Sequence, residues 1–203
     1  MGDSFKGMHE QADAVDAARR RAVAYAQQRI SFFRRGADVR RYHTHRTIME
    51  DTVGHHSANV GMFVIMLWQA RCAEGDGAHL RLGPMLAAAL AHDLPEHTFG
   101  DIPAPAKRKL RERGVDLDTE ETVLLDANRF GFKLTDEEHR LLKLGDYLDG
   151  LSFCVEERMR GNRYLNDVAH TYRTYLRELA QDRSAGEKII INAVLENWEK
   201  ADA

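Results

Sequence analysis

Residues 85–101 read MLAAALAHDLPEHTFGD, an apolar segment that acquires His92, Asp93, Glu96, His97 and Asp101 within its last ten positions. A helix with so little polar surface is stable only when other elements cover it, so the rest of the chain has to wrap around this segment. Burying carboxylates without partners is expensive compared with the small net stability of a domain. The acidic groups that close the segment therefore need compensating partners from elsewhere in the chain.

Those partners are expected on helices. Alternating strand patterns are nearly absent, and no Asn-Gly or Asp-Gly hairpin joins two such runs, so the spacing predicts an all-α fold. A first, Arg-rich helix is predicted over 13–34, ending at Gly36, with a polar irregular connection over 37–52. A second helix runs from about Gly54 to Ala73, where His56, Val60, Phe63, Val64 and Leu67 recur on one face and aim His56 inward. Pro84 suits the first turn of a third, buried helix through Met85, Leu86, Ala89 and Leu90, which Pro95 ends. The loop GDIPAPAK leads into a short basic helix, followed by helices near 119–129, 135–160, 163–181 and 185–200, the last anchored by Trp198. On the 135–160 helix, Leu142, Asp146, Asp149 and Phe153 share a face, which turns Asp146 toward the core.

The 203 residues suffice for one core and predict a single domain. A formal net charge of -3 excludes a protein that grips nucleic acid through a broad basic face. The N-terminal residues lack an apolar signal core, and the longest apolar run, near Met62–Trp68, is too short to span a bilayer, so no membrane is expected. Cys72 and Cys154 form no metal-knuckle spacing and read as reduced core residues of a cytoplasmic protein.

His56, His92, Asp93 and Asp146 thus fall on inward faces of three helices. Taken singly, each has a plainer role: a hydrogen-bonded core histidine, a helix cap, a salt-bridge partner. Taken together, two imidazoles and two carboxylates form a nitrogen and oxygen donor set suited to one divalent transition metal, whether Mn, Co, Zn, Fe or Ni.

The order VGHHS, AHDLPEHTFGDIPAPAK and LGDYLDGL resembles the HD-domain phosphohydrolases, whose signature is H…HD…D on a helical bundle. More narrowly, HDxxExxxGDxPxPxK with the upstream Arg41-Tyr42 is similar to the bacterial 5′-deoxynucleotidase branch and its phage relatives. The likeness extends over about 38–160, with the C-terminal helices of 163–200 outside it. It implies a metal held by His56, His92, Asp93 and Asp146, and release of phosphate from deoxynucleoside 5′-monophosphates. Glu96 matches the acid/base carboxylate that orients the attacking water, and Asp101 a second acidic residue that positions substrate or water. Arg41 matches a phosphate contact, Tyr42 offers a ring to sugar or base, Lys107 stands where a second phosphate contact would come, and Pro105 stiffens one pocket wall. The resemblance also implies a homodimer or higher homo-oligomer.

The chain departs from that pattern in three places. Tyr42 stands where the bacterial enzymes usually have Trp, and His55 precedes the metal histidine in place of the common Glu. Asp146 follows Asp93 by only 53 residues, closer to the compact phage enzymes that remove triphosphate from dATP. A dNTP triphosphohydrolase is therefore the alternative activity, and a non-catalytic nucleotide-binding regulator a second. His43, His45 and His97 are expected on the surface or capping loops.

Overall fold

In a computed structural model the backbone is described for residues 2–202 and the side chains for residues 15–201. The helices are α1 Gly2–Ala37, α2 Val53–Ala73, α3 Leu82–Ala91, α4 Glu96–Phe99, α5 Ala104–Glu112, α6 Leu117–Ala127, α7 Asp136–Met159, α8 Asn166–Leu179 and α9 Ala185–Asp202, with a 3-10 turn at Ala180–Asp182 before α9. Among the described residues the only β-type pairing is a bridge between Arg40 and Thr52, which closes the connection from α1 to α2.

The bundle is organised by α2 and α7. Leu141, Leu144, Leu148, Leu151 and Val155 recur at alternating three- and four-residue steps on α7 and are buried, the spacing that keeps one stripe of a helix against its neighbours. α2 meets this stripe with Val60, Val64 and Leu67, and α3, α8 and α9 close around the pair. Gly145 is the point of near approach: a Cβ there would lie 3.3 Å from the Val60 carbonyl oxygen of α2. A smaller apolar cluster of Phe32, Ala91 and Leu94, with Leu124, Leu125 and Phe130 against it, stands apart from the main core. α3 spans both, because Met85, Ala88 and Ala89 belong to the main core while Ala91 belongs to the satellite. His92 and Asp93 therefore sit where the two cores meet.

Four expectations change. α1 begins far earlier than residue 13. α3 is not covered all round, since Leu90 is 55% exposed while Met85, Ala88, Ala89 and Ala91 are sealed. α3 also stops at Ala91 rather than running to Pro95; turns carry the chain through His92–Pro95, and Pro95 precedes the single-turn helix α4 that begins with Glu96. Proline favours this role because its fixed φ suits a helix start and it has no N–H to leave unpaired. Cys72 is exposed on α2, and only Cys154 lies in the core. Trp198 is buried, with the guanidinium groups of Arg158 and Arg173 each 5.4 Å from its ring centre.

The start of α7 is tied down by a charge. Thr135 and Glu138 form a reciprocal capping box, and the buried Glu138 carboxylate also accepts the Arg81 backbone N–H at 2.8 Å and its Nε–H at 2.9 Å. Arg81, opposed only by the cost of burial, holds the Glu138 carboxyl at about 2, below its ordinary value of 4.5. This contribution to stability is present above about pH 4.5 and lost as the pH falls through 2. Glu138→Gln is expected to cost about 1–3 kcal/mol in urea unfolding at pH 7, the range for breaking a buried charged hydrogen bond. The difference from the unsubstituted protein should shrink on acidification across that window; an equal difference at pH 7 and pH 3 would contradict this account.

Candidate functional site

Three elements supply the centre. His56 lies one turn into α2, whose start is capped by the Thr52 hydroxyl accepting the His55 N–H at 3.3 Å. His92 and Asp93 follow the last turn of α3, and Asp146 projects from the middle of α7. One ligand atom from each of His56, His92 and Asp93 falls within 4.8 Å of the others. His56 Nε2 is 3.5 Å from Asp93 Oδ2 and 3.3 Å from Asp146 Oδ1, and His92 Nε2 is 3.4 Å from Asp93 Oδ2.

The far side of each imidazole is already engaged. His56 Nδ1 pairs with Asp149 Oδ2 at 2.6 Å, and His92 Nδ1 with the Ala89 carbonyl oxygen at 2.8 Å. A carbonyl oxygen only accepts, so a neutral His92 carries its proton on Nδ1 and offers the Nε2 lone pair. Both Nε2 atoms are buried and without a hydrogen-bond partner among the described residues. This is how metal-binding histidines are usually oriented, the outer nitrogen fixed by a carboxylate or carbonyl and the inner one aimed at the ion. His56, His92 and Asp93 form a donor set that fits a divalent cation and could hold it, with Asp146 standing beside His56 as a further carboxylate outside that group of three.

The electrostatics point the same way. Burial works against a charge on His56, but Asp146 and Asp149 outweigh it and raise its pKa to about 9, so the surrounding carboxylates keep a proton on the ring. Burial likewise opposes ionisation of Asp93, yet His92 and then His56 hold it below the ordinary range. Asp146 is held well below that range, against burial, by Lys143 and His56; Lys143 Nζ is 2.6 Å from its Oδ2. The pocket thus stabilises positive charge between its carboxylates, and a divalent cation would take the place of the His56 proton.

Glu96 behaves differently. It is 5% exposed, its Oε2 has no hydrogen-bond partner among the described residues, and burial followed by the Asp93 and Asp101 charges pushes its carboxyl up to about 9. A buried carboxyl with such a raised pKa beside a donor cluster has the character of a group that exchanges protons.

Arg41 is buried and bound at Nη1 to Asp51 Oδ2 at 3.0 Å, with Asp149 Oδ2 at 3.8 Å. Tyr42 adopts a left-handed backbone conformation, φ 54°, rare for a bulky residue. Asp101 Oδ2 accepts its N–H at 2.9 Å, and its ring stacks on Phe153 with centroids 4.9 Å apart. The Tyr42 side chain is thereby buried, its hydroxyl 3.4 Å from that of Tyr172. Lys107 is paired with Glu121 at 2.8 Å, and Pro105 is exposed in the first turn of α5. His55 is exposed with Nδ1 3.3 Å from Asp51 Oδ1, His43 is exposed, and His97 packs edge-on against Phe32 at 4.9 Å.

Sequence reasoning gave no role to Asp149, Lys143, Asp51 or Glu121. Asp149 and Lys143 each stand three residues from Asp146 on α7, a spacing that places side chains side by side. Nothing local marked Asp51 or Glu121, whose partners lie on other elements.

The helical fold resembles those of solved HD-domain phosphohydrolases. The YfbR-like 5′-deoxynucleotidase family model matches residues 30–190, and the chain belongs to that family. No curated protein matches the sequence. An HD-domain phosphohydrolase of Listeria innocua aligns with a TM-score of 0.69 at 17% identity, over 86% of this chain and 92% of that one. The HD phosphohydrolase of cyanophage S-2L, solved with dA and one catalytic Zn2+, aligns at 0.58 and 20% identity, over 84% and 94%. A protein of Pyrococcus horikoshii aligns at 0.67 and 19%, over 84% and 98%.

Proposed function

We propose that this protein hydrolyses deoxynucleoside 5′-monophosphates to deoxynucleoside and inorganic phosphate, with one divalent cation held by His56, His92, Asp93 and Asp146. The observation that carries the metal-dependent reading is the pair of buried, unpartnered Nε2 atoms turned toward Asp93. Membership of the deoxynucleotidase family supports the substrate class. A cation in this position supplies Lewis acidity, lowering the pKa of a water and polarising the phosphoryl group.

The chain's own residues do the rest. Glu96 accepts the proton of the attacking water and returns it to the departing 5′-oxygen. Burial, with the charges of Asp93 and Asp101, holds the Glu96 proton on; a cation that neutralises part of that charge would make its carboxylate form accessible. Arg41 retains donors beyond the Nη1 given to Asp51, and a planar guanidinium suits phosphate oxygens. Asp101 holds the strained Tyr42 backbone and so positions the adjacent Arg41. Tyr42 shapes the wall behind the phosphate, Lys107 adds positive charge near Glu96 and Asp93, and Pro105 stiffens the start of α5.

Hydrolysis of dNTPs to deoxynucleoside and tripolyphosphate is the second reading, supported by the short Asp93–Asp146 spacing. Chromatography of reactions with Mn2+ or Co2+ and a panel of dNMPs and dNTPs separates the two. Inorganic phosphate from dNMPs is the expected product, intact tripolyphosphate would favour the alternative, and no product from either panel would defeat both.

A further inference from the structure

Glu157 is a fully buried carboxylate that the reaction argued above does not use. Burying such a group is costly unless donors meet it. It lies in the last turn of α7, where the helix dipole disfavours an anion, so the helix itself gains nothing from it. Its partners come from beyond the helix. The Ile48 N–H donates to Oε2 at 2.8 Å, the Met49 N–H to Oε1 at 2.6 Å, and the Asn162 side-chain amide to Oε2. Asn162 is brought back beside Glu157 by the way α7 stops. Gly161 takes a left-handed φ of 88°, its N–H reaches the Arg158 carbonyl at 2.8 Å, and the Asn162 N–H reaches the Glu157 carbonyl at 3.0 Å. The Asn162 amide also donates to the Arg46 carbonyl at 2.8 Å, and its Oδ1 accepts the Tyr164 N–H at 2.9 Å.

Glu157 and Asn162 thus hold Arg46, Ile48 and Met49, the tip of the connection from α1 to α2. The base of that connection is closed by the Arg41 N–H on the Asp51 carbonyl and the Val53 N–H on the Val39 carbonyl, each at 2.9 Å. Arg41 and the strained Tyr42 open the loop, and Asp51, which holds the Arg41 guanidinium, ends it. A bulky residue keeps a left-handed backbone only where its surroundings over-determine it. With the tip free, Tyr42 can relax by turning the loop, and that turn carries Arg41 away from Asp149 and the His/Asp centre. The clamp acts from a distance, since Glu157 stands about three helical turns, or about 16 Å, along α7 from Asp146.

Resting on the reading of Arg41 as the phosphate grip, we propose that Glu157 and Asn162 are positioning residues: they fix the loop tip to the end of α7 and thereby set where the Arg41 guanidinium meets the substrate phosphate. A carboxylate is what this task requires. It accepts N–H groups from two segments without offering a donor of its own, whereas an amide at that position would turn an N–H toward that of Ile48 or Met49. The same helix carries Asp146 at the centre and Glu157 at the clamp. The centre and the phosphate grip are therefore referred to one rigid element, which holds their separation better than a free loop would.

The test uses the whole Mn2+-loaded protein, the variants Glu157→Gln and the milder Asn162→Ala, and inorganic phosphate as the probe. Calorimetry should show the Kd for phosphate raised about 10-fold by Glu157→Gln, the effect of one misplaced charged hydrogen bond, while elemental analysis still finds the metal content of the unsubstituted protein. Steady-state kinetics with dAMP should show kcat/KM lowered about 10- to 100-fold, mostly through KM, and Asn162→Ala should act in the same direction to a smaller degree. A merely structural pin would act independently of Arg41. In an Arg41→Lys background, which keeps the charge beside Asp51 but lacks the planar fork, Glu157→Gln should therefore add no more than about a twofold loss. Full additivity in that background, an unchanged phosphate Kd and KM in both variants, failure of both variants to fold, or no phosphate binding by the unsubstituted protein overturns the proposal. If the unsubstituted protein hydrolyses no nucleotide but its phosphate affinity still depends on Glu157 through Arg41, the reaction falls and the positioning role stands.

Discussion

Glu96→Gln is expected to lower kcat toward deoxynucleotides by about 10²- to 10⁴-fold, the range for removing a positioned acid/base group, while KM changes little. The substitution keeps the shape of the side chain and removes only its proton exchange. Its effect on stability should have the opposite sign. The Glu96 carboxyl is raised to about 9 from its ordinary value of 4.5, so in metal-stripped protein the folded state keeps a proton that the unfolded chain releases. The contribution is fully present below about pH 4.5 and is lost as the pH rises through 9. Gln does not titrate, so the stripped variant should gain thermal stability over the unsubstituted protein between neutral pH and pH 9. Unchanged turnover would remove Glu96 from the mechanism, and equal melting profiles across that pH range would contradict its buried, proton-holding environment.

The second large effect concerns the cation. His92→Ala should reduce bound transition metal from about one per chain to near none by elemental analysis, and abolish turnover with it. Because His92 is partly exposed and its side-chain hydrogen bond goes to the Ala89 carbonyl within its own turn, the fold should survive. Adding Mn2+ at 100 times its Kd stabilises a protein by about 2.7 kcal/mol, so the unsubstituted protein should melt higher on titration and the variant should not. Asp149→Asn tests the outer contact: it leaves His56 in place but changes the group at its Nδ1, and should weaken metal binding by about 10- to 100-fold. Full metal occupancy in His92→Ala would sink the proposed ligand set.

The two outcomes together would separate the cation from the proton carrier. A metal-replete, inactive Glu96→Gln protein and a metal-free, inactive His92→Ala protein fail for different reasons, which a purely structural cluster of ionisable groups does not predict.

Much of the scaffold is legible along the chain because helical periodicity is a local property. Val60, Val64 and Leu67 mark the inward face of α2, and the same face aims His56. Asp146 and Asp149 share the buried side of α7 for the same reason. Errors arose where local pattern and tertiary cover part company. Leu90 has the spacing of a core residue, yet it is 55% exposed on α3, and Cys72 is exposed on α2. Pro95 has the local pattern of a helix end, yet it caps α4, which begins with Glu96.

The amino-acid sequence by itself determined that the protein is helical, that an HD pair closes an apolar helix, and that inward-facing His56 and Asp146 lie on two others, since each follows from spacing within a few turns. Only the tertiary structure decided what those groups are chemically. His56 is paired with a carboxylate 93 positions away, Tyr42 is turned into the core beside Phe153, and Glu96 is buried next to like charges. Ring orientation, proton affinity and access to water depend on which atoms lie within a few ångströms, and distances across the bundle are set by packing rather than by order along the chain.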